Sequence, residues 1–202
     1  MVGHAIFDPM LFLLSRLVSN ALTNSPERAN RLSLWYPFCR NVKRFADDPC
    51  IWSRESLLTW QQVHDRAGQY AQFFISHGVK PGDLVAFYLQ NSPNFLIAWL
   101  ALWCIGCAPA LINFNLTAAS LTHCLELSRS KLLLVDEDEK CRERIEESRS
   151  QIQEKLEMKI IVLDSIAKTD VRSLPSDIPD DTYRQSTKGT SPACLIFTRY
   201  FT

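Results

Sequence analysis

Two cysteines separated by two residues form the motif in this chain that could most directly do chemistry. Cys104-Ile105-Gly106-Cys107 has the spacing of a redox pair or of half a zinc site. A zinc site needs a second pair of cysteines or histidines, and a redox pair needs an exposed, polarised thiolate. This motif instead lies in a run without any Asp, Glu, Lys or Arg, which favours buried core cysteines.

The histidines and a tryptophan pair are the other side chains with chemical potential. His64 and His77 lie on a predicted amphipathic helix with no evident partner, so we interpret them as structural. For His123, packing or a local hydrogen bond is favoured over catalysis. The i, i+4 pair Trp99 and Trp103 is more typical of a core than of a ligand platform. We therefore assign no catalytic residue and no metal ligand.

The uncharged run between Asp83 and Glu126 must be either the centre of an α/β domain or membrane-embedded. A spanning helix needs about 20 unbroken apolar residues, but Asn91-Ser92-Pro93, Gly106, Pro109 and Asn113 divide the run. The pieces alternate between strand and helix length, which predicts an α/β fold of mostly parallel strands with helices on both faces. The predicted elements are strands Leu84–Leu89, Ala108–Ile112 and Lys131–Val135, and helices Pro93–Ile105 and Thr117–Ser128.

The segments before this run predict a helix, a hairpin and a second helix. The helix covers Leu32–Ala46, and the hairpin joins Cys50–Trp52 to Ser56–Thr59. Thr59 with Gln62 is a capping-box pattern that opens the second helix, which ends at Gly78. A turn at Lys80-Pro81-Gly82-Asp83 leads into the first buried strand.

Beyond Asp136 the sequence becomes more polar. The pattern predicts a solvated surface helix within Glu137–Glu157, a strand at Lys159–Leu163, a long polar loop at Asp164–Ser191 and a last strand starting at Pro192–Thr198.

The N-terminal segment Ala5–Leu22 is an apolar stretch interrupted by Asp8, Pro9 and Arg16. It lacks the basic start of a secretory signal. Either a helix packed on the domain or an amphipathic or short membrane anchor fits it. We therefore divide the chain into an apolar helix and linker at 1–30 and a main domain at 31–202.

Composition narrows the possible partners. The 22 Lys and Arg balance the 22 Asp and Glu, which gives no indication of a nucleic-acid partner. Seven cysteines, an odd number, favour a reducing compartment with free thiols.

Several stretches resemble the AMP-binding, or adenylate-forming, superfamily, and within it the branch of fatty acid transport proteins and very-long-chain acyl-CoA synthetases. The resemblance runs from about Leu32 to Thr198. It rests on LSLWYPF (Leu32–Phe38), the stretch Ser56–Leu102 with its KPGD turn, INFNLTAASLTHCL (Ile112–Leu125), KLLLVD (Lys131–Asp136) and PACLIFT (Pro192–Thr198).

The resemblance implies a reaction and its cofactors. In that family a fatty acid is activated with ATP and Mg²⁺ to an acyl-adenylate and then joined to CoA. A Ser/Thr/Gly-rich phosphate loop follows a strand that ends in a Thr such as Thr198. Here Thr198 is followed by Arg199, Tyr200, Phe201 and Thr202, without glycine. The resemblance therefore implies no complete cofactor site in this chain, and ATP, Mg²⁺, CoA and fatty acid as ligands of a complete homologue only.

Three interpretations follow. The first is a truncated, inactive fatty-acid–CoA ligase. The second is a non-catalytic module of lipid metabolism that binds a partner or a membrane. The third is a small membrane protein with spans near Ala5–Leu22 and Phe95–Phe114. The resemblance implies a location on the cytoplasmic side, associated with endoplasmic reticulum, peroxisome or lipid droplet. Within such an enzyme, the turn Asn113–Leu116 would lie near the nucleotide cleft, because ligands collect at the carboxyl ends of parallel strands.

Overall fold

A computed structural model describes residues 32–54 and 56–197. The segment Ala5–Leu22, for which a packed helix or a membrane anchor is predicted, and the linker after it lie outside the described residues. So does Thr198.

Five parallel strands form the central sheet in the order β6-β5-β3-β4-β7. They are β3 (Leu84–Tyr88), β4 (Ala108–Leu111), β5 (Leu132–Asp136), β6 (Lys159–Leu163) and β7 (Leu195–Ile196). Two more strands, β1 (Pro49–Trp52) and β2 (Leu57–Thr59), pair antiparallel in a separate hairpin. The predicted α/β class and the predicted hairpin are confirmed.

Six α-helices surround these strands in the described part of the chain. They are α1 (Trp35–Phe45), α2 (Trp60–Ser76), α3 (Pro93–Cys104), α4 (Ala118–Ser128), α5 (Glu139–Glu147) and α6 (Ser165–Ser173). A π-helical segment (Gln151–Lys155) follows α5, and a 3₁₀ turn (Asp181–Arg184) follows α6.

Local sequence signals set the helix ends in the middle of the chain. The Thr59 hydroxyl accepts a hydrogen bond from the Gln62 amide while the Gln62 side chain accepts one from the Thr59 amide, so the predicted capping box is present. Ser92 caps α3 through the Phe95 amide at 3.2 Å, and Pro93 occupies the first turn. Gly106 follows the end of α3 with φ +70°, a conformation that glycine adopts without strain.

The sheet separates two hydrophobic clusters because strand side chains alternate between its faces. Val85, Phe87, Leu132 and Leu134 point to the face that we call the double-layer face, which α1, α2, α3 and α6 cover. Ala86, Tyr88, Leu133 and Val135 point to the single-layer face, which α4, α5 and the π-helical segment cover. Residues Phe95 to Cys104 of α3 are all buried, since α3 contacts β4 and is also covered by α1 and α2.

One prediction beyond Asp136 is wrong. The segment Asp164–Ser191, predicted to be a loop, contains α6, which Asp164 caps through the Ala167 amide at 2.8 Å, and the 3₁₀ turn. The surface helix predicted within Glu137–Glu157 is present as α5, and the π-helical segment after it brings Ile152 into the single-layer cluster. Thr117 stands at the N-cap position of α4 as predicted, but its side chain makes no capping hydrogen bond.

In the described residues no helix is long and apolar enough to cross a membrane. The uncharged run predicted to be either core or membrane is divided among β3, α3, β4 and the first part of α4.

Candidate functional site

The carboxyl edge of the sheet is the candidate site, because the connections after two neighbouring strands run from it to opposite faces of the sheet. After β3 the chain enters α3 on the double-layer face, and after β4 it enters α4 on the single-layer face. Divergence of the connections from two adjacent parallel strands opens a crevice at their carboxyl ends, where ligands of open α/β sheets bind.

The Asp136 carboxylate fixes the part of this edge where β5 and β3 end. One carboxylate oxygen accepts a hydrogen bond from the Gln90 amide and the other accepts one from the Asp138 amide, both at 3.0 Å. Both oxygens are therefore engaged with the backbone, and Asp136 holds the connections after two adjacent strands together. Its geometry is that of a structural carboxylate.

The turn that follows β4 is held from two neighbouring elements. The Tyr88 hydroxyl donates to the Leu116 carbonyl at 2.7 Å, and the Arg144 guanidinium of α5 donates to the Phe114 carbonyl at 2.6 Å. Burial raises the pKa of Tyr88, so this hydroxyl stays a hydrogen-bond donor at neutral pH. The Asn113 side chain accepts from the Asn115 amide at 2.9 Å, and both asparagines are exposed. The structure thus places Asn113–Leu116 at the carboxyl edge, and a contact with nucleotide stays a prediction.

Strand β7 lies beside β4, with Leu195 opposite Ala110 and Ile196 opposite Leu111. Two indoles hold the chain two residues before β7, because Trp99 and Trp103 both donate to the Ala193 carbonyl, at 3.2 and 2.8 Å. Trp99 and Trp103 are core residues as predicted, each 4% exposed. In addition, they position the start of β7, which the sequence pattern did not indicate.

Arg184 is a buried cation that the sequence analysis missed. It is only 4% exposed, and its guanidinium donates to the carbonyls of Cys104 and Pro179 and to the Asp181 carboxylate, the last at 2.6 Å. The Arg184 guanidinium also lies over the Tyr36 ring, 5.8 Å from its centroid. The residue therefore joins the end of α3, the 3₁₀ turn and α1.

Close backbone packing reinforces this connection. A Cβ atom on Gly106 would overlap the Tyr183 carbonyl, and one on Gly68 of α2 would overlap the Ser176 carbonyl. Residues 174–193 therefore lie directly against α2 and α3 at two points where only glycine fits. We call residues 174–193 the strap. A glycine inside a helix, such as Gly68, is the one sequence signal that could have indicated this approach.

The cysteine pair is buried, as predicted. Cys104 is 0% and Cys107 5% exposed, and burial raises the pKa of each thiol to about 12. The Cys107 thiol donates to the Lys80 carbonyl at 3.0 Å. Neutral thiols in a closed core are poor nucleophiles and poor metal ligands. In the part of the chain that the structure describes, no group of three or more His, Cys, Asp or Glu side chains could hold a metal ion.

The histidines differ from one another. His64 stacks on Trp35 with centroids 5.4 Å apart and lies 3.4 Å from the Asp65 carboxylate, and His77 packs on Phe73 with centroids 4.2 Å apart. Both are structural, as predicted. His123 is exposed on α4, and the preference for packing or a local hydrogen bond over catalysis stays a prediction.

Comparison with known proteins identifies the family. The sequence profile of the AMP-binding enzyme family matches residues 38–198. The chain is 43% identical over 118 residues to isopenicillin N epimerase component 1 of Hapsidospora chrysogena, a match covering 58% of this chain and 19% of that protein. It is 29% identical over 132 residues to long-chain fatty acid transport protein 2 of Rattus norvegicus, covering 65% of this chain and 21% of that protein.

Solved structures agree on the fold. The N-terminal domain of FACL13 from Mycobacterium tuberculosis superimposes with a TM-score of 0.72 at 21% identity, over 82% of this chain and 41% of that one. A fatty acyl CoA synthetase of the same organism gives a TM-score of 0.67 at 19% identity, over 85% of this chain and 33% of that one. The chain spans about a fifth of the length of the curated relatives that it matches. Because the family profile covers most of its residues, the chain belongs to the AMP-binding enzyme family.

Proposed function

We propose that this chain is the N-terminal scaffold of a fatty-acid–CoA ligase, and that residues 1–202 alone form no acyl-adenylate. The parent reaction activates a long or very long chain fatty acid with ATP and Mg²⁺ and transfers the acyl group to CoA. Residues 31–202 are the proposed partial AMP-binding domain, and residues 1–30 an N-terminal helix and linker. The fatty acid transport proteins and fatty-acid–CoA ligases among its relatives support this substrate class.

The observation that carries the proposal is the position of β7. This strand runs parallel to β4 and ends at the same edge as the Asn113–Leu116 turn, so the chain leaves β7 at that edge. A phosphate loop starting there would present its backbone amides at the crevice between the connections after β3 and β4.

The proposed lack of activity follows from charge. In the parent reaction the carboxylate oxygen attacks the α-phosphorus of ATP and pyrophosphate leaves, so negative charge on the phosphates must be stabilised. Residues 199–202 contain no glycine and cannot form a glycine-rich turn. Arg144, a cation close to the Asn113–Leu116 turn, already donates to a backbone carbonyl.

Isotope exchange between radiolabelled pyrophosphate and ATP, with hexadecanoate and Mg²⁺ present, tests the lack of activity. Residues 1–202 are expected to give the background rate. The medium/long-chain-fatty-acid–CoA ligase FadD6 of Mycobacterium tuberculosis, 29% identical over 123 residues, serves as the active control. Exchange above background by residues 1–202 would contradict the proposal.

A chimera tests the scaffold role separately. The segment of FadD6 that aligns with this chain is replaced by the corresponding residues of this chain. We expect the folded chimera to retain measurable exchange, since the fold and the carboxyl edge are shared. A chimera with a cooperative thermal transition but no exchange would count against the scaffold role.

Association with the cytoplasmic side of the endoplasmic reticulum, a peroxisome or a lipid droplet through Ala5–Leu22 is a further part of the proposal. Flotation with liposomes tests it by comparing the whole chain with a variant that lacks residues 1–30. The whole chain is expected to float and the shortened one to remain at the bottom. Equal flotation of the two would rule out this segment as the anchor.

A further inference from the structure

A cavity of about 600 Å³ lies between α1, the first turns of α2 and the strap. Volumes of about 300–1,000 Å³ are typical of small-molecule sites. Residues 88–92, 112–117 and 136–138, which form the carboxyl edge, do not line it. The cavity is therefore separate from the candidate catalytic site and does not depend on the proposed function.

The inner wall of the cavity is apolar and firmly packed. Trp35 is 2% exposed and lies between Phe38 and His64, at centroid distances of 5.1 and 5.4 Å. Apolar groups from α1 and the strap complete the wall, namely Cys39, Val42, Ala46 and Ile178. Such a wall offers an apolar body a preformed surface with little rearrangement.

Two cations of α1 lie at the mouth of the cavity. Arg40 and Lys43 are both exposed, and they are three residues apart, hence on one side of the helix. Within residues 32–54 and 56–197, neither of them has a carboxylate within salt-bridge distance. Their charges act on the cavity itself. Burial raises the pKa of Cys39 to about 11, and Arg184, Lys43 and Arg40 oppose that rise.

The remaining charged groups of the wall largely cancel each other. Arg184 donates to the Asp181 carboxylate through Nε at 3.1 Å and through Nη2 at 2.6 Å. The Tyr36 hydroxyl also donates to that carboxylate, at 3.3 Å. His64 lies beside Asp65, which is outside the cavity wall. The charge left at the mouth is positive and comes from Arg40 and Lys43.

We propose that this cavity binds one molecule of an anionic amphiphile, with its apolar body against Cys39, Ala46 and Ile178 and its head group between Arg40 and Lys43. The chemistry common to such ligands is a carboxylate or sulfonate on an alkyl or aryl body. Because the charge at the mouth is positive, we expect the cavity to select ligands by the sign of the head group.

A titration with two amphiphiles of similar tail length and opposite charge tests this inference on the whole chain. Dodecanoate and dodecyltrimethylammonium are each added below their micelle-forming concentrations, and binding is followed by calorimetry and tryptophan fluorescence. We expect saturable binding of one dodecanoate per chain and at least tenfold weaker binding of the cation. Equal binding of the two would overturn the proposal, because it would indicate general apolar adsorption.

Charge-reversal variants then locate the site. Arg40→Glu/Lys43→Glu is expected to weaken dodecanoate binding at least tenfold. The matched control is Lys80→Glu/Lys159→Glu, which makes the same change of net charge at two exposed positions outside the cavity and is expected to bind as the unaltered chain. Equal affinity of the two double variants would overturn the proposal.

A third variant tests the cavity without changing charge. Ala46→Trp fills part of the volume and is expected to abolish dodecanoate binding. Since Ala46 is half-buried beside open space, the fold should tolerate the larger side chain, and an unchanged near-UV circular dichroism spectrum and urea midpoint would verify this. Undiminished binding by a folded Ala46→Trp chain would place the ligand elsewhere and overturn the proposal.

Discussion

The two faces of the sheet are built to different depths. On the double-layer face, α3 lies against the strands and is itself covered by α1 and α2, so its residues 95–104 are all buried. On the single-layer face, α4 has its outer side in solvent, with His123 and Leu127 exposed. The difference indicates that the double-layer face supplies most of the rigidity, while the single-layer face carries the turn at the carboxyl edge.

The difference in cover between the two faces should have its largest effect on the stability lost when a buried leucine is truncated on each face. Leu102 of α3 and Leu121 of α4 are both 0% exposed, so Leu102→Ala and Leu121→Ala remove the same buried atoms. We expect a loss in the free energy of unfolding of roughly 4–5 kcal/mol for Leu102→Ala and roughly 2–3 kcal/mol for Leu121→Ala, because only a site beside solvent can relax into the cavity. Urea denaturation measures both, and a larger loss for Leu121→Ala would reverse the comparison.

The ion pairs of the two faces provide a second contrast. Arg184→Met removes a buried guanidinium, leaves the carbonyls of Cys104 and Pro179 without their donor, and breaks the ion pair with Asp181. We expect it to cost roughly 2–4 kcal/mol, less than for a fully buried pair because Asp181 is half-exposed. Arg149→Met, which breaks the exposed pair with Glu146, should cost at most about 1 kcal/mol. Chemical denaturation of both variants checks this, and equal losses would show that Arg184 is not a connecting residue.

A buried thiol, Cys104, should contribute more to the pH dependence of stability than a half-buried thiol, Cys124. Burial raises the pKa of Cys104 from 9.0 in the unfolded chain to about 12. Between these values the unfolded thiol loses its proton while the native one keeps it, so stability falls as pH rises above 9. Cys104→Ala should flatten this fall by up to about 1.4 kcal/mol per pH unit.

Cys124→Ala is the matched control on the single-layer face. Burial also raises the pKa of Cys124, but this thiol is half-buried, so its removal should change the slope less. Urea midpoints from pH 8 to pH 10 measure both slopes. An unchanged slope in Cys104→Ala would mean that this thiol ionises in the native state as it does in the unfolded chain.

The smallest expected change in stability concerns the carboxyl edge of the sheet. Tyr88→Phe removes the donor to the Leu116 carbonyl and should cost about 0.5–1.5 kcal/mol. It should also speed amide exchange in residues 113–117, while α3 stays protected. Hydrogen exchange followed by mass spectrometry reports both. Unchanged exchange in the turn would show that Arg144 alone holds it.

The part of the fold that could be predicted from sequence is the part with local signals. Thr59 with Gln62, Ser92 with Pro93, and Gly106 mark helix ends through groups no more than three residues apart. The parallel order β6-β5-β3-β4-β7 and the register of β7 on β4 could not be read from the sequence, since these pairings join strands far apart in the chain.

Helix α6 and the strap that follows it show why other parts of the fold could not be predicted from the sequence. Helix α6 buries only Val171, too few apolar side chains to produce a helical period. Arg184 is buried because the Cys104 carbonyl, 80 residues earlier, accepts from it at the end of α3. A single arginine in a polar segment carries no sequence signal for such a partner. The cavity beside the strap could not be anticipated for the same reason.

Native-state hydrogen exchange tests the central claim most directly, because it reports the free energy of opening for each segment in the unaltered chain. The difference in cover predicts the slowest exchange in α3 and β3, faster exchange in α4 and α5, and the fastest of these segments in residues 113–117. Protection of α4 equal to that of α3 would contradict the claim that the double-layer face supplies the rigidity of this domain.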